Sequence, residues 1–463
     1  MTNRLEARLG FVDATALVAG SMIGSGIFIV SADIARRLPA PGWLLLVWTI
    51  AGALTVAGAA SYGRLAAAMP RAGGQYVYLA ELYGPVCGFL YGWTLVLVIQ
   101  TGTIAAVAVA FATFAGTLWD VLTPARGPLG VSPVQACAVV VVVTLTALNA
   151  RGLEEGRRVQ TVFTIAKVGA LAAVVVLGLG FSSPAARAAN FQTSLFATPQ
   201  GLAGSLSELG AAMVGALFAA DAWANVTFAA GEVRDAPRTV PRALVAGTVL
   251  VCLLYLATNV AYLNALPLRG SPEGTDVFAR GIQNATADRV GTAVMEAVVG
   301  GRVGAVVMAV AVMISTFGCV NGLVLAGARV AWAMARDGLF FAPAARLNAR
   351  HVPGVALWLQ GAWACVLALS GRYGDLLDYV IIAELVFYLF TVSGLFVLAR
   401  RTSEQPRGVG YPWLQTVYLV LVGVLVVDLL ITKPAYTWGS LAVIASGVPF
   451  YVWWRPRAVT REA

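Results

Sequence analysis

The sequence is poor in charge. Asp, Glu, Lys and Arg make up only 11% of its residues, less than half the share of an ordinary soluble domain. Histidine occurs once, as His351 between two apolar runs, so no nucleophile–base or metal constellation for an enzyme is visible, and no histidine proton relay. The five cysteines (Cys87, Cys137, Cys252, Cys319 and Cys365) lie in or beside apolar segments and form no Cys-x-x-Cys pair. Neither a zinc site nor a disulfide framework is expected from them; they read as small buried hydrophobes. No metal and no cofactor are expected. Lysine is rarer still, with only Lys167 and Lys433. No long polar region interrupts the apolar runs, so the expectation is one membrane domain over residues 1–463. Met1 to Gly10 is polar and no clear cleavage site follows it, so no cleavable signal is expected.

Apolar residues are abundant, at 59% with a mean hydropathy of +0.81. Surface-to-volume scaling does not let a soluble core hide that much, so lipid must be the solvent. A bilayer crossing needs about 20 apolar residues, and about twelve such runs are present. They fall near 12–35, 42–68, 86–119, 132–150, 158–181, 205–230, 240–265, 303–335, 353–370, 376–399, 411–431 and 437–454. The net charge of +9 is topological rather than a nucleic-acid footprint. With the N-terminus in the cytoplasm, about 20 basic residues fall inside and about 10 outside. Arg36 and Arg37, and the loop from Arg269 to Arg302, go against the rule. Both termini are therefore expected inside a cell membrane (inner or plasma). The segment Gly73 to Tyr83 reads as an interfacial helix, with Tyr76, Val77, Leu79 and Ala80 on one side and Gln75 and Glu81 on the other. Thr275 to Ile282 and Val290 to Val299 read as short outer surface helices.

Two runs carry breaks at comparable places. The first contains Gly20-Ser21-Met22-Ile23-Gly24-Ser25-Gly26-Ile27, and the sixth contains Phe218-Ala219-Ala220-Asp221-Ala222-Trp223. Weak first helices in two successive five-helix blocks are the mark of an inverted repeat with discontinuous helices 1 and 6. The repeats are expected at about 12–181 and 205–399, with two additional helices at about 411–454. Gly24 and Gly26 would equally serve close helix packing, with no break at all.

Broken helices suit a zwitterion. A half-helix that starts at the midplane offers free N–H groups and a positive dipole end; one that ends there offers free carbonyls. Amides of Ser25, Gly26 and Ile27, with the Ser25 hydroxyl, are candidates for a carboxylate. Carbonyls of Met22, Phe218 and Ala219 are candidates for an ammonium. Asp221 is an intramembrane acid, a rare and usually functional feature; it either caps the Trp223 or Ala224 amide or works on a ligand or proton. Glu384 and Asp428 read as packing or loop-lining groups, and Glu232 as part of a gate or loop ion pair beside Arg234. Lys167 lies nine residues past Arg158, about 14 Å into the fifth run at 1.5 Å per residue. That is near the middle of a hydrocarbon core about 30 Å thick, where a lysine must face oxygen partners inside the bundle.

Several stretches resemble the amino acid–polyamine–organocation superfamily, and most its L-type amino acid transporter branch. Gly20 to Phe28 is similar to the first-helix signature. Met69 to Tyr78 followed by Gly88 to Trp93 resembles the first cytoplasmic loop and third-helix start. Leu217 to Glu232, with Pro237 and Pro241-Arg242-Ala243, is similar to the sixth helix and its loop. Asn321-Gly322, Arg329 and Ala333 to Gly338 resemble the eighth-helix ending. The resemblance covers about residues 10–400. It implies the all-α LeuT-like fold and transport of small L-amino acids by alternating access, with Phe218 as an outer lid and gate. Ala220 stands where an aromatic is common and Ala222 where glycine is usual, which leaves side-chain preference open.

Sodium-driven relatives of this fold tie the first helix to the eighth with a sodium ion. Val159-Gln160-Thr161 through Lys167 resembles the fifth helix of sodium-independent relatives, which carry lysine there. The resemblance thus implies that Lys167 joins carbonyls near Gly20 and Ser21 to a hydroxyl of Ser315 or Thr316. Members that pair with a heavy-chain glycoprotein use a cysteine after the third helix; the loop Leu122 to Ser132 has none, so no heavy-chain subunit is expected. A carrier of neutral amino acids is the first reading. Proton-coupled or cationic amino acid or polyamine carriage, or a nutrient sensor with the transporter fold, stays open beside it. A channel would want a continuous polar lining, which no run has.

Overall fold

The computed structural model describes residues 5–122, 125, 130–181, 183–198, 201–370, 373–401 and 410–454. Among them the chain is α-helical and multi-pass, with no strand beyond one isolated bridge between Leu9 and Val233. Lipid offers backbone groups no partner, so helices that satisfy their own N–H and C=O are the form such apolar runs must take.

The helices are α1 (Phe11–Met22), α2 (Val30–Arg37), α3 (Pro41–Ala68), α4 (Gln75–Tyr83), α5 (Pro85–Thr94), α6 (Gln100–Ala115), α7 (Pro133–Arg151), α8 (Leu153–Gly180) and α9 (Pro184–Phe191). They continue with α10 (Gly201–Ala219), α11 (Asn225–Phe228), α12 (Ala236–Ala265), α13 (Val277–Arg280), α14 (Val290–Met295), α15 (Gly301–Arg336), α16 (Gly354–Leu369), α17 (Tyr373–Arg401), α18 (Trp413–Thr432) and α19 (Pro434–Trp454). A π-helical stretch, Leu95–Ile99, joins α5 to α6 into one span. Among the described residues eight spans are long and apolar enough to cross a membrane, and α1, α10 and α16 are shorter apolar helices. Pro41, Pro85, Pro133 and Pro434 open their helices, where the missing N–H costs nothing.

Two expectations about the short segments fail. Residues 75–79 of α4 are all buried, and Gln75 donates to Thr391 Oγ1 on α17 at 2.9 Å. Hence the sides of α4 differ from the expected ones: Gln75 is buried with the apolar residues against α17, while Glu81 and Tyr83 stay exposed. An amphipathic pattern marks an interface only when the polar side has no partner inside, and Gln75 has one. Likewise every residue of α14 is buried and leads through a π-helical stretch, Glu296–Gly300, into α15. The chain then reverses at Gly300 and Gly301, with φ of +106° and +30°, so that Gly304 of α15 lies against the Met295 carbonyl; α14 is packed back on the eighth span rather than exposed as a surface helix. Most of the loop from Leu122 to Ser132 lies outside the described residues.

Arg36 and Arg37, which oppose the charge rule, are neutralised locally. Arg36 pairs with Asp288 through two bonds of 2.6 and 3.1 Å, and Arg37 with Asp33 and Glu208 at 3.0 and 3.1 Å.

Candidate functional site

The helix breaks fall where the glycine-rich and Asp221 segments put them. Helix α1 stops at Met22; a 3-10 turn over Gly26–Phe28 follows, and α2 begins at Val30. Helix α10 stops at Ala219 and α11 resumes at Asn225. Between them Ala222 has φ +64°, left-handed backbone that costs an L-residue about 1–2 kcal/mol. Ala222→Gly should therefore raise the thermal stability of the purified protein by about 1 kcal/mol; an unchanged unfolding temperature would show that this strain is absent.

Gly26 and Ala219 bring the two breaks into contact. A Cβ at Gly26 would lie 2.6 Å from Ala219 Cβ and 2.9 Å from its Cα, so only glycine permits this approach. The amides of Ser25, Gly26 and Ile27 donate to no carbonyl or side chain among the described residues. The carbonyls of Met22 and Ala219 point to one place, because Tyr255 Oη of α12 lies 3.1 Å from both. The Phe218 carbonyl accepts the Asp221 amide at 3.2 Å. Met22, Ile23, Ser25, Ile27, Ala219 and Asp221 are buried, while Phe218 is half-buried. Gly24 faces Cys319 Sγ and Val107.

Lys167 is 1% exposed, and its Nζ donates to the carbonyls of Gly20 at 2.7 Å and Ile23 at 2.8 Å. Ser315 of α15 donates to Ile23 and Gly24 carbonyls at 3.1 and 2.9 Å. The Ile23 carbonyl thus joins α8 to α15 across the first break. Two residues of the expected set stand apart. The Ser21 carbonyl accepts the Cys319 thiol at 2.9 Å rather than the ammonium. Thr316 Oγ1 bonds Val312 and Met313 carbonyls of its own helix, because its position turns it back along α15.

Asp221 caps neither Trp223 nor Ala224. Instead Tyr388 Oη lies 2.6 Å from Asp221 Oδ1 and 2.8 Å from Glu384 Oε1. Glu384 therefore belongs to the lining of the sixth-span break, with Tyr388 one helical turn further along α17. The i, i+4 spacing of an acid and a tyrosine was the available signal. Trp223 packs on Tyr62 and Tyr388, closing an aromatic wall around these carboxyl groups.

At the end of the bundle that carries the N-terminus, Glu232 pairs with Arg329 of α15, not with Arg234. Both contacts are 2.9 Å and both side chains are at most 2% exposed. The amides of Arg8 and Leu9 donate to the Glu232 carbonyl at 2.9 and 2.8 Å. The first span's entry, the sixth span's exit and the eighth span are thus latched together.

Over residues 9–454 the chain matches the family described as amino acid permease. It belongs to that family. The permease is 26% identical to the b(0,+)-type amino acid transporter 1 of Mus musculus, covering 97% of this chain and 88% of the relative. It is 29% identical to the large neutral amino acids transporter small subunit 2 of Homo sapiens, over 97% and 81%. It is also 29% identical to the Asc-type amino acid transporter 1 of Mus musculus, over 99% and 84%. The permease is accordingly a multi-pass membrane transporter of amino acids and not an enzyme.

Proposed function

We propose that this permease exchanges neutral L-amino acids across the cell membrane by alternating access, independently of sodium. One observation carries the reading: unbonded amides at Ser25 to Ile27 stand across the break from two carbonyls, Met22 and Ala219, that converge within 3.1 Å of a single oxygen. The amides suit the substrate carboxylate, and the carbonyls suit its ammonium once Tyr255 shares or yields them. Phe218, at the end of α10, serves as the outer lid. Asp221 is already engaged by the Tyr388 hydroxyl, which leaves it poorly placed to hold a cationic side chain. Relatives named for large neutral amino acids and Asc-type transport agree with small to medium neutral substrates.

Lys167 takes the place of a coupling cation. Its ammonium and the Ser315 hydroxyl hold the Ile23 carbonyl from two helices, and Gly20 completes the set; Ser21 is held beside it by Cys319. Both termini face the cytoplasm, the two repeats run over about 12–181 and 205–399, and the helices at about 411–454 are additional. The permease works without a heavy-chain subunit, in keeping with the lack of cysteine between Leu122 and Ser132.

Uptake of radiolabelled leucine, alanine and serine into proteoliposomes in sodium-free choline buffer tests the reading. The parent protein transports without sodium, and Lys167→Ala loses about 30-fold or more, the cost of two charge-assisted hydrogen bonds left unmade. Parent activity that vanishes without sodium overturns the coupling claim. In the same vesicles, arginine should compete more weakly than leucine, alanine or serine; the reverse order overturns the neutral-substrate claim.

A proton-coupled reading has its own support. Tyr388 has one hydroxyl proton but contacts two carboxyl groups, so the second contact requires a proton on one of the acids. Uptake driven by an imposed pH gradient, lost in Glu384→Gln, would favour symport over exchange.

A further inference from the structure

Outside the transport pathway, α3 and α12 leave a groove of about 960 Å³ between them. Its walls are apolar and small, with Gly52, Ala53, Val56 and Ala60 on α3 facing Val245 and Leu253 on α12. Leu253 is 62% exposed and Val245 37%, so the groove opens sideways toward the bilayer rather than into the bundle. From Trp48 to Arg64 it runs 16 residues of α3, about 24 Å at 1.5 Å per residue. That exceeds the half-thickness of a hydrocarbon core, roughly 15 Å, and matches the reach of an acyl chain that starts at a headgroup.

One end of the groove is basic. Arg238 and Arg242 line it from α12, four residues apart and therefore on one face of the helix. Both are exposed. Neither enters an ion pair among the described residues. Arg64 of α3 lies at the same end, over the Tyr411 ring. Three other arginines are neutralised by carboxylates, Arg36 by Asp288, Arg37 by Glu208 and Arg157 by Asp13, whereas Arg238 and Arg242 stand side by side without one among the described residues. Two arginines without carboxylates at the mouth of an apolar slot fit a ligand that is anionic at one end and hydrocarbon along the rest.

We propose that this groove binds an anionic phospholipid, with its phosphate on Arg238 and Arg242 and one acyl chain lying between α3 and α12. The far end of the slot gives the lipid a hold on transport. Trp48 lines the groove and packs edge-on against Tyr255, ring centroids 5.5 Å apart. Tyr255 is the residue whose hydroxyl joins the Met22 and Ala219 carbonyls at the two breaks. Filling the groove supports the Trp48 ring from behind and so steadies the contact between the broken helices. A neutral lipid would fill the slot but leave the arginines without a counter-charge.

The test is native mass spectrometry of the purified full-length protein in detergent. The protein is equilibrated with equal amounts of phosphatidylglycerol and phosphatidylcholine carrying the same acyl chains. Each arginine near a membrane surface contributes about 5-fold to anionic lipid binding, so the pair gives roughly a 30-fold preference for phosphatidylglycerol. Arg238→Gln with Arg242→Gln should bring retention of the two lipids close to parity. Ala60→Trp, which fills the slot and keeps the charges, should reduce retention of both. Equal retention by the parent, or an undiminished preference in the double variant, overturns the proposal. So does a change of oligomeric state in Ala60→Trp with lipid retention untouched, because the groove would then seat a second copy. Should the double variant fail to fold, rising salt decides on the parent: the preference must fall as the arginines are screened, and a salt-independent preference overturns the assignment. Lipid retention is read without substrate, so a failure here leaves the transport reading untouched.

Discussion

Gly26→Leu should abolish uptake while the protein still inserts and purifies as a folded species. Even a methyl group at this position meets Ala219 Cβ at 2.6 Å and its Cα at 2.9 Å, and the second of these is backbone, which does not swing aside. Overpacking of this kind costs about 1–3 kcal/mol for added methylenes in an ordinary core. Here the obstruction also falls between the amides and the carbonyls that hold the two ends of the substrate. A loss of about 100-fold in initial rate is the expected minimum. Gly26→Ala should already lower uptake, since its Cβ alone forces the breaks apart. The readout pairs uptake into proteoliposomes with gel filtration of the same preparation. Parental kinetics in Gly26→Leu would mean that the two breaks do not need to touch during the cycle.

The second large effect is on stability. Glu232 and Arg329 form a bidentate pair that is essentially sealed from solvent. Arg329→Ala leaves the Glu232 carboxylate buried without its counter-charge, at a cost of about 3–5 kcal/mol. The double substitution Glu232→Leu with Arg329→Met should recover most of that loss, since a buried ion pair replaced by apolar residues is often close to neutral. Thermal unfolding in detergent distinguishes the cases. If Arg329→Ala unfolds at the parental temperature, the pair is wet and open in solution, and the latch at this end of the bundle does not exist as described. The same pair joins the sixth span's exit to the eighth span, so the double variant should also leak: it should release preloaded substrate faster than the parent.

Much of the fold was legible because lipid is an undemanding reader of sequence. A crossing requires only length and apolarity, so the run near 42–68 became α3 and the run near 240–265 became α12, within a few residues. The first break was legible because Gly20, Gly24 and Gly26 crowd one short mid-span stretch, and glycine weakens a helix wherever it gathers. The sixth was legible because an acid sits there. Lys167 was legible for a similar reason: depth alone leaves a lysine only the bundle interior. Its partners were half right. Gly20 and Ser315 were found, but the shared oxygen is that of Ile23, and Thr316 turns back on its own helix.

The rest depends on which face of an apolar helix meets which neighbour. In a soluble protein the polar stripe marks the outward face, but a membrane helix is apolar all round and its periodicity carries little direction. Tyr255, Tyr388 and Glu384 reach the breaks from spans far along the chain; the i, i+4 spacing of Glu384 and Tyr388 signals that the two pair, but nothing in these segments says which break they meet. Gln75 misled for the same reason: a polar residue beside an apolar set reads as an interfacial face until Thr391 is seen to accept its hydrogen bond. Composition, the length of the apolar runs and the placing of the glycines and Asp221 by themselves determined that this protein crosses the membrane many times, where two of its helices break, and that Lys167 is buried among oxygen partners. Only the tertiary structure decided that Tyr255 ties the two breaks together, that Glu384 joins Asp221, and that Glu232 closes on Arg329. The physical reason is that hydrophobic length is a local property of the chain, whereas hydrogen-bond partners in a low-dielectric interior are chosen by packing between segments distant in sequence.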